Sequence, residues 1–140
     1  GTSISEHDFF HHDLHYVGHL DAVKPLLTVA ENIDFWSNLR GSKTTVSALD
    51  HFGLREISDL PARFLSAGQR RRVGLARLLA APGKLWLLDE PAVGLDAQSV
   101  TALLEAIRQH RSGGGVVVAA SHGDLVLDNA RILTLQETHS

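Results

Sequence analysis

This chain predicts an α/β fold: a parallel-sheet core preceded by an α-helical insert. Two short apolar runs, "LWLLD" at 85–89 and "VVVAA" at 116–120, read as buried strands, and an amphipathic helical stretch lies between them. Strand, helix and strand in that order imply parallel neighbours, because parallel pairing needs a crossover connection. Ahead of them, residues 28–80 carry two helix-start patterns, which makes the front of the chain mainly helical.

Taken in order, "LHYVGHL" at 14–20 alternates as a short strand on Leu14, Tyr16 and Gly18. Thr28 with Glu31 three positions on is a capping box, and Val29, Ile33, Trp36 and Leu39 follow at helical spacing. A shorter helix over 44–52 stops at Gly53, and residues 54–64, with Pro61, form an irregular connection. Ser66 and Gln69 make a second capping box. The helix they open sets Val73, Ala76, Leu79 and Ala80 on one stripe before Pro82 and Gly83 end it. After the run at 85–89, a helix over 98–111 buries Val100, Leu103, Leu104 and Ile107. "SGGG" at 112–115 is a turn and not a phosphate loop, since no Lys-Ser or Lys-Thr follows, and "ARILTL" at 130–135 reads as a further strand.

Composition narrows the function. With 140 residues, 44% of them hydrophobic, the chain can close one core. Thirteen basic and 16 acidic residues leave a net charge of −3, so no global field attracts nucleic acid or an anionic membrane. Cysteine is absent, which excludes disulfides and thiolate-held metals. No apolar run approaches the roughly 20 residues of a membrane span, and the opening residues do not read as a signal peptide. Methionine is also absent, and the chain is expected to be a piece of a longer product.

The chemistry-bearing residues gather around the strand ends. At Ser66, Ala67, Gly68 and Gln69 a helix begins with a hydroxyl, small residues and free amides, so a phosphate can approach the positive end of the helix dipole. Asp89 and Glu90 emerge at the carboxyl end of a buried strand, where open parallel sheets place their ligand crevices. One carboxylate suits a magnesium ion, and the adjacent one can polarise an attacking water. His122 leaves the end of the next strand, from which an imidazole reaches the same crevice.

Together these residues resemble the ATP-binding domain of ABC transporters, a P-loop NTPase-like fold. "LSAGQ" at 65–69 is similar to that family's signature, "LWLLDE" to its Walker B strand with the catalytic glutamate, "AVGLD" to its D-loop, and Ser121-His122 to its switch histidine. The resemblance implies that Ser66, Ala67, Gly68 and Gln69 meet the terminal phosphate of ATP held by a second such subunit. It also implies that Asp89 organises Mg2+, Glu90 activates water, Asp96 couples the two subunits and His122 senses the phosphate. His19 stands where most members carry the Q-loop glutamine. The pattern "YVGH", then "KPLLTVAENIDFW", "LSAGQRRRVGLARL" and "LWLLDEP", looks like the haem-exporter ATP-binding subgroup of bacterial cytochrome c maturation. By that resemblance the partners are a second ATPase subunit, as a homodimer, and integral membrane transporter subunits. The location is peripheral, on the cytoplasmic face of the inner membrane.

The family's Walker A loop has no counterpart here: Lys24, Lys43 and Lys84 are the only lysines, and none follows the required glycine pattern. The expected organisation is therefore a truncated ABC ATPase domain. Residues 14–80 would hold the Q-loop region and helical subdomain, and 81–140 the Walker B, D-loop and switch-histidine part of the core. Such a chain is expected to be inactive alone and, with apolar sheet faces uncovered, prone to aggregate.

Plainer readings stand beside these. Arg70, Arg71 and Arg72 are expected on the solvent side of the signature helix, not as a nucleic-acid patch. His7, His11, His12 and His15 have partly helical spacing, but read as a solvated chain start more readily than as a metal or haem site. Phe35 and Trp36 read as helix packing. A non-catalytic, partner-binding module and the ATPase of another small exporter are the alternative functions. Retention of Glu90 and His122 weighs against the first.

Overall fold

A computed structural model describes residues 14–18, 22–81, 83–122 and 125–134. His19 and the histidines at 7, 11 and 12 lie outside the described residues. Three parallel strands form one sheet in the order β1 (Leu14–Val17), β2 (Leu85–Asp89), β3 (Val116–Ala120). Tyr16, Leu87 and Val118 stand in one cross-strand row. Between β1 and β2 come α1 (Val29–Leu39), α2 (Thr45–His51) and α3 (Ala67–Ala80), and α4 (Ala97–Ser112) crosses from β2 to β3.

Both capping boxes form. The Thr28 side chain accepts from the Glu31 amide while Glu31 accepts from the Thr28 amide, at 3.1 and 3.0 Å. Hydrogen bonds to the carboxyl from Thr28, its backbone amide first and its side chain second, hold Glu31 below the usual carboxylate range. Ser66 and Gln69 make the same exchange at 3.1 and 2.9 Å. α2 ends where Gly53 takes φ +64, a left-handed turn that glycine adopts without steric cost. The connection after it is less irregular than its sequence suggests: Arg55–Ile57 and Ala62–Phe64 are single 3-10 turns.

The core lies where α1, α2 and α3 meet and continues under the sheet. Val29, Ile33, Ala48, Leu54, Val73 and Leu75 are fully enclosed, and α3 is buried on most sides. On the strands, His15, Val17, Trp86 and Leu88 face this core. Trp86 lies flat on His110 of α4, with ring centroids 3.9 Å apart, and Trp36 sits beneath the Arg77 guanidinium at 5.5 Å.

The outer edge of β1 is closed by arginines. Arg40 donates to the Leu14 carbonyl at 3.2 Å, Arg77 to that of Tyr16, and Arg71 to that of Gly18 at 2.7 Å. Alternate carbonyls of an edge strand are thus paired by side chains, which removes acceptors that another strand could use.

Several expectations are corrected. Leu39 is exposed, because it falls at the last residue of α1, past the helices that cover the rest of its stripe. On α4, Ser99 and Ala106 are buried beside Leu103 and Ile107, whereas Val100 and Leu104 are half-buried. β2 is closed on one face only and β3 is not a buried strand: Val116 and Val118 are each 56% exposed. Residues 130–134 form no strand, and Ile132 is 85% exposed; no third partner edge meets them among the described residues. Arg71 is not on the solvent side but buried. Phe35 is exposed and packs against Lys24 Nζ, 4.7 Å from its ring centre, while Trp36 is buried as expected.

Candidate nucleotide site

The residues singled out from the sequence sit at two adjoining places, the carboxyl ends of β2 and β3 and the start of α3. Asp89 is the last residue of β2 and pairs in register with Ala120. Glu90 extends that ladder by one bond, its amide donating to the Ala120 carbonyl at 2.8 Å. It then turns the chain at φ 48, the left-handed region that costs a non-glycine residue about 1–2 kcal/mol.

This turn sends the Glu90 carboxylate toward His122, with Oε1 3.1 Å from the imidazole Nε2. The two side chains differ in exposure: 10% for Glu90 and 92% for His122. A carboxylate with a dry back and a solvent-facing imidazole partner can take a proton from a water molecule that reaches its open side.

Among the described residues Asp89 is engaged by no ion pair or side-chain hydrogen bond, so both its oxygens are available to a cation. It lines, with Tyr16, Leu87, Leu88, Val118 and Ala120, a depression of about 300 Å³. Among the described residues no group of three or more His, Cys, Asp or Glu could cage a metal. One free carboxylate suits magnesium, which keeps several waters and takes its other ligands from bound phosphates.

At the start of α3 the capping box uses the Ser66 and Gln69 amides. The Ala67 and Gly68 amides and the Ser66 hydroxyl hydrogen remain free to donate to an anion. Gly68 also lies close to the loop after β2: a Cβ there would come within 3.4 Å of the Gly94 carbonyl oxygen. That loop ends at Asp96, which caps α4 by accepting from the Ser99 amide at 2.8 Å. Hydrogen bonds from Ser99, with a smaller contribution from Arg72, hold the Asp96 carboxyl below its usual value.

The structure therefore brings Glu90 to His122 and the Gly68 turn to the 91–96 loop. Among the described residues no hydrogen bond joins Ser66 or Gln69 to Glu90 or His122; the start of α3 meets the strand-end side through Gly68 and the 91–96 loop. The sequence reading missed Arg71, which is 6% exposed and donates to the Glu90 carbonyl at 3.0 Å. A signal was present: Arg71 shares a helical face with Leu75 and Leu78, at i+4 and i+7.

A sequence model of the family described as ABC transporter matches residues 1–93. The chain is 50% identical over 123 residues to the cytochrome c biogenesis ATP-binding export protein CcmA of Rhodospirillum rubrum, covering 86% of the chain and 53% of that protein. To the protein of the same name from Paramagnetospirillum magneticum it is 47% identical, covering 88% of the chain and 59% of the relative. It thus spans a little over half the length of these curated relatives. Among solved structures it superposes on a dimeric ATP-binding cassette in a post-hydrolysis state bound to ADP and Pi, with TM-score 0.73 and 22% identity over 86% of the chain and 58% of that one. An ATP-binding subunit of an ABC transporter matches with TM-score 0.71 and 20% identity, over 79% of the chain and 49% of the other.

Proposed function

Since the chain belongs to the ABC transporter family, we propose that it supplies the signature, magnesium-binding and catalytic-carboxylate parts of an ATP-hydrolysing subunit that powers an exporter. The observation that carries this reading is the Glu90–His122 pair at 3.1 Å, set at the end of a parallel strand directly after Asp89, whose carboxylate has no ion pair or side-chain hydrogen bond among the described residues.

In this reading Asp89 would hold Mg2+, which would supply neutralisation of phosphate charge. Glu90 orients and deprotonates the attacking water, and the His122 imidazole fixes the carboxylate and reaches the terminal phosphate. Ser66, Ala67 and Gly68 receive the phosphate of ATP bound to a second subunit, with Gln69 holding the turn through the capping box. Asp96, at the start of α4, lies on the loop that Gly68 touches and passes the state of one surface to the other. Two subunits arranged head to tail complete the site in this reading, which the superposition on a dimeric ATP-binding cassette supports. The Q-loop position, His19, is assigned the contact with the membrane partner.

The share of sequence common to two CcmA proteins supports haem export for cytochrome c maturation as the transport reaction, with integral membrane subunits as partners and the cytoplasmic face of the membrane as the location. The division into a Q-loop region and helical subdomain at 14–80 and a Walker B, D-loop and switch-histidine part at 81–140 is supported by the packing of α1–α3 and by the β2–α4–β3 unit, although β1 at the start of the first part pairs with β2 in the core sheet.

ATP hydrolysis by this chain and by the complete gene product, each with and without Glu90→Gln, tests the reading. The complete product is expected to hydrolyse ATP and to lose about 10²–10⁴-fold in rate on substitution. This chain alone is expected to be inactive, because none of its lysines sits in a phosphate-cradling loop. Activity indifferent to Glu90 would sink the proposal.

A further inference from the structure

Arg71 is a buried cation set against the back of the carboxylate centre. Its Nη1 donates to the Gly18 carbonyl at 2.7 Å, and its Nη2 to the Glu90 carbonyl at 3.0 Å and the Asp89 carbonyl at 3.4 Å. One planar guanidinium therefore joins α3, the residue after β1 and the residues that end β2. We infer that Arg71 is a positioning residue for hydrolysis, fixing the left-handed Glu90 peptide so that the carboxylate faces His122. The inference rests on the proposed roles of Glu90 and His122.

The geometry supports a role beyond filling the core. The Glu90 peptide is held from both sides: its amide by Ala120 of β3, and its carbonyl by Arg71 together with the Val93 amide at 3.3 Å. Its φ of 48 is a conformation that an unrestrained glutamate leaves readily, and relaxing it would swing the carboxylate away from the imidazole. Arg71 also sits about one and a half turns inside the helix that Ser66 opens, so a shift of that helix end moves the guanidinium and the Glu90 carbonyl together. Gly18, the third acceptor, immediately precedes His19 in the chain. A lysine could not reproduce the arrangement, because a single ammonium lacks the two-pronged fork that spans Gly18 and Glu90.

The test is steady-state ATP hydrolysis by the complete gene product carrying Arg71→Lys or Arg71→Met, each alone and combined with Glu90→Gln, with circular dichroism to establish folding. Arg71→Lys is expected to lower kcat by about 10²-fold while leaving KM for ATP within about twofold, as displacement of a reacting group does. In the Glu90→Gln background the same substitution is expected to change nothing, since both act through one carboxylate. An unchanged kcat, or the same loss in both backgrounds, would overturn the inference. Unfolding of both Arg71 variants would overturn it too, by assigning the side chain to the core alone. Hydrolysis that ignores Glu90→Gln in the unsubstituted protein overturns the proposed function itself, and that result is read before any Arg71 variant enters.

Discussion

Among the described residues the helical half of the molecule closes over its apolar side chains, whereas the strand half leaves one side of its sheet open. Ile33, Leu54, Val73 and Leu75 are enclosed by α1, α2 and α3, yet Val116 and Val118 of β3 and Ile132 beyond it face outward. Similar side chains thus have opposite environments, decided by which elements reach them. The open face is also where Asp89 looks out, so the part least finished by packing carries the candidate chemistry.

The sharpest way to break this contrast is to truncate one residue in each half. Leu75→Ala is expected to destabilise by about 2–5 kcal/mol, because an enclosed side chain leaves a cavity. Val118→Ala should cost less than about 0.5 kcal/mol, as exposed substitutions do. Urea unfolding of the two variants beside the parent measures both, and equal losses would mean that the open face is covered in solution.

A smaller effect is expected at the seam between the halves. Ser66→Ala removes the acceptor for the Gln69 amide and should cost about 1 kcal/mol, whereas Ser66→Asn, which can still cap, should recover most of it. Melting curves of the pair separate the cap from any role of the hydroxyl in binding phosphate, which ATPase assays read independently.

Smaller still in stability, but visible in association, is Val118→Lys combined with Ile132→Lys. Adding charge to the open face is expected to leave the unfolding midpoint nearly unchanged and to reduce self-association in concentration-dependent light scattering. No change in scattering would place the contacts between copies elsewhere.

The smallest expected effect is electrostatic. The Asp96 carboxyl titrates below its usual value of 3.8, so its share of stability is complete above that value and is lost as pH falls through the lowered one. Asp96→Asn, an equally good cap without the charge, should flatten the acid limb of the unfolding midpoint below about pH 4 and leave neutral pH alone. A limb that stays equally steep would show that another carboxylate causes it.

What the sequence made legible was local. The capping boxes at Thr28 and Ser66 depend on residues three apart, and both form as read. The parallel order of strands followed from the helix between two apolar runs, and Glu90 and His122 met because both leave the same end of one sheet. What could not be read depended on distant chain. Val116 to Ala120 is as apolar as any core strand, and nothing in those residues says that only one face is covered. Three consecutive arginines look like a solvated face, yet the 100° step of a helix sends Arg71 inward with Leu75 and Leu78 and leaves Arg72 half-buried, bonded to the Phe52 carbonyl. Residues 130–134 have strand composition but no strand to join among the described residues, which is a property of the sheet and not of the segment.

The chain's two tryptophans fall one to each half, Trp36 beneath the Arg77 guanidinium and Trp86 flat against the His110 imidazole. Their positions give the molecule two optical channels. With Trp36→Phe the remaining emission comes from β2, three residues before Asp89, where the indole is in ring contact with the His110 imidazole and a small displacement of the strand changes its surroundings. With Trp86→Phe the light comes from α1 alone. A ligand that moves the strand without loosening the helices would register in one channel and leave the other dark to it, so the two halves can be watched separately without attaching any dye.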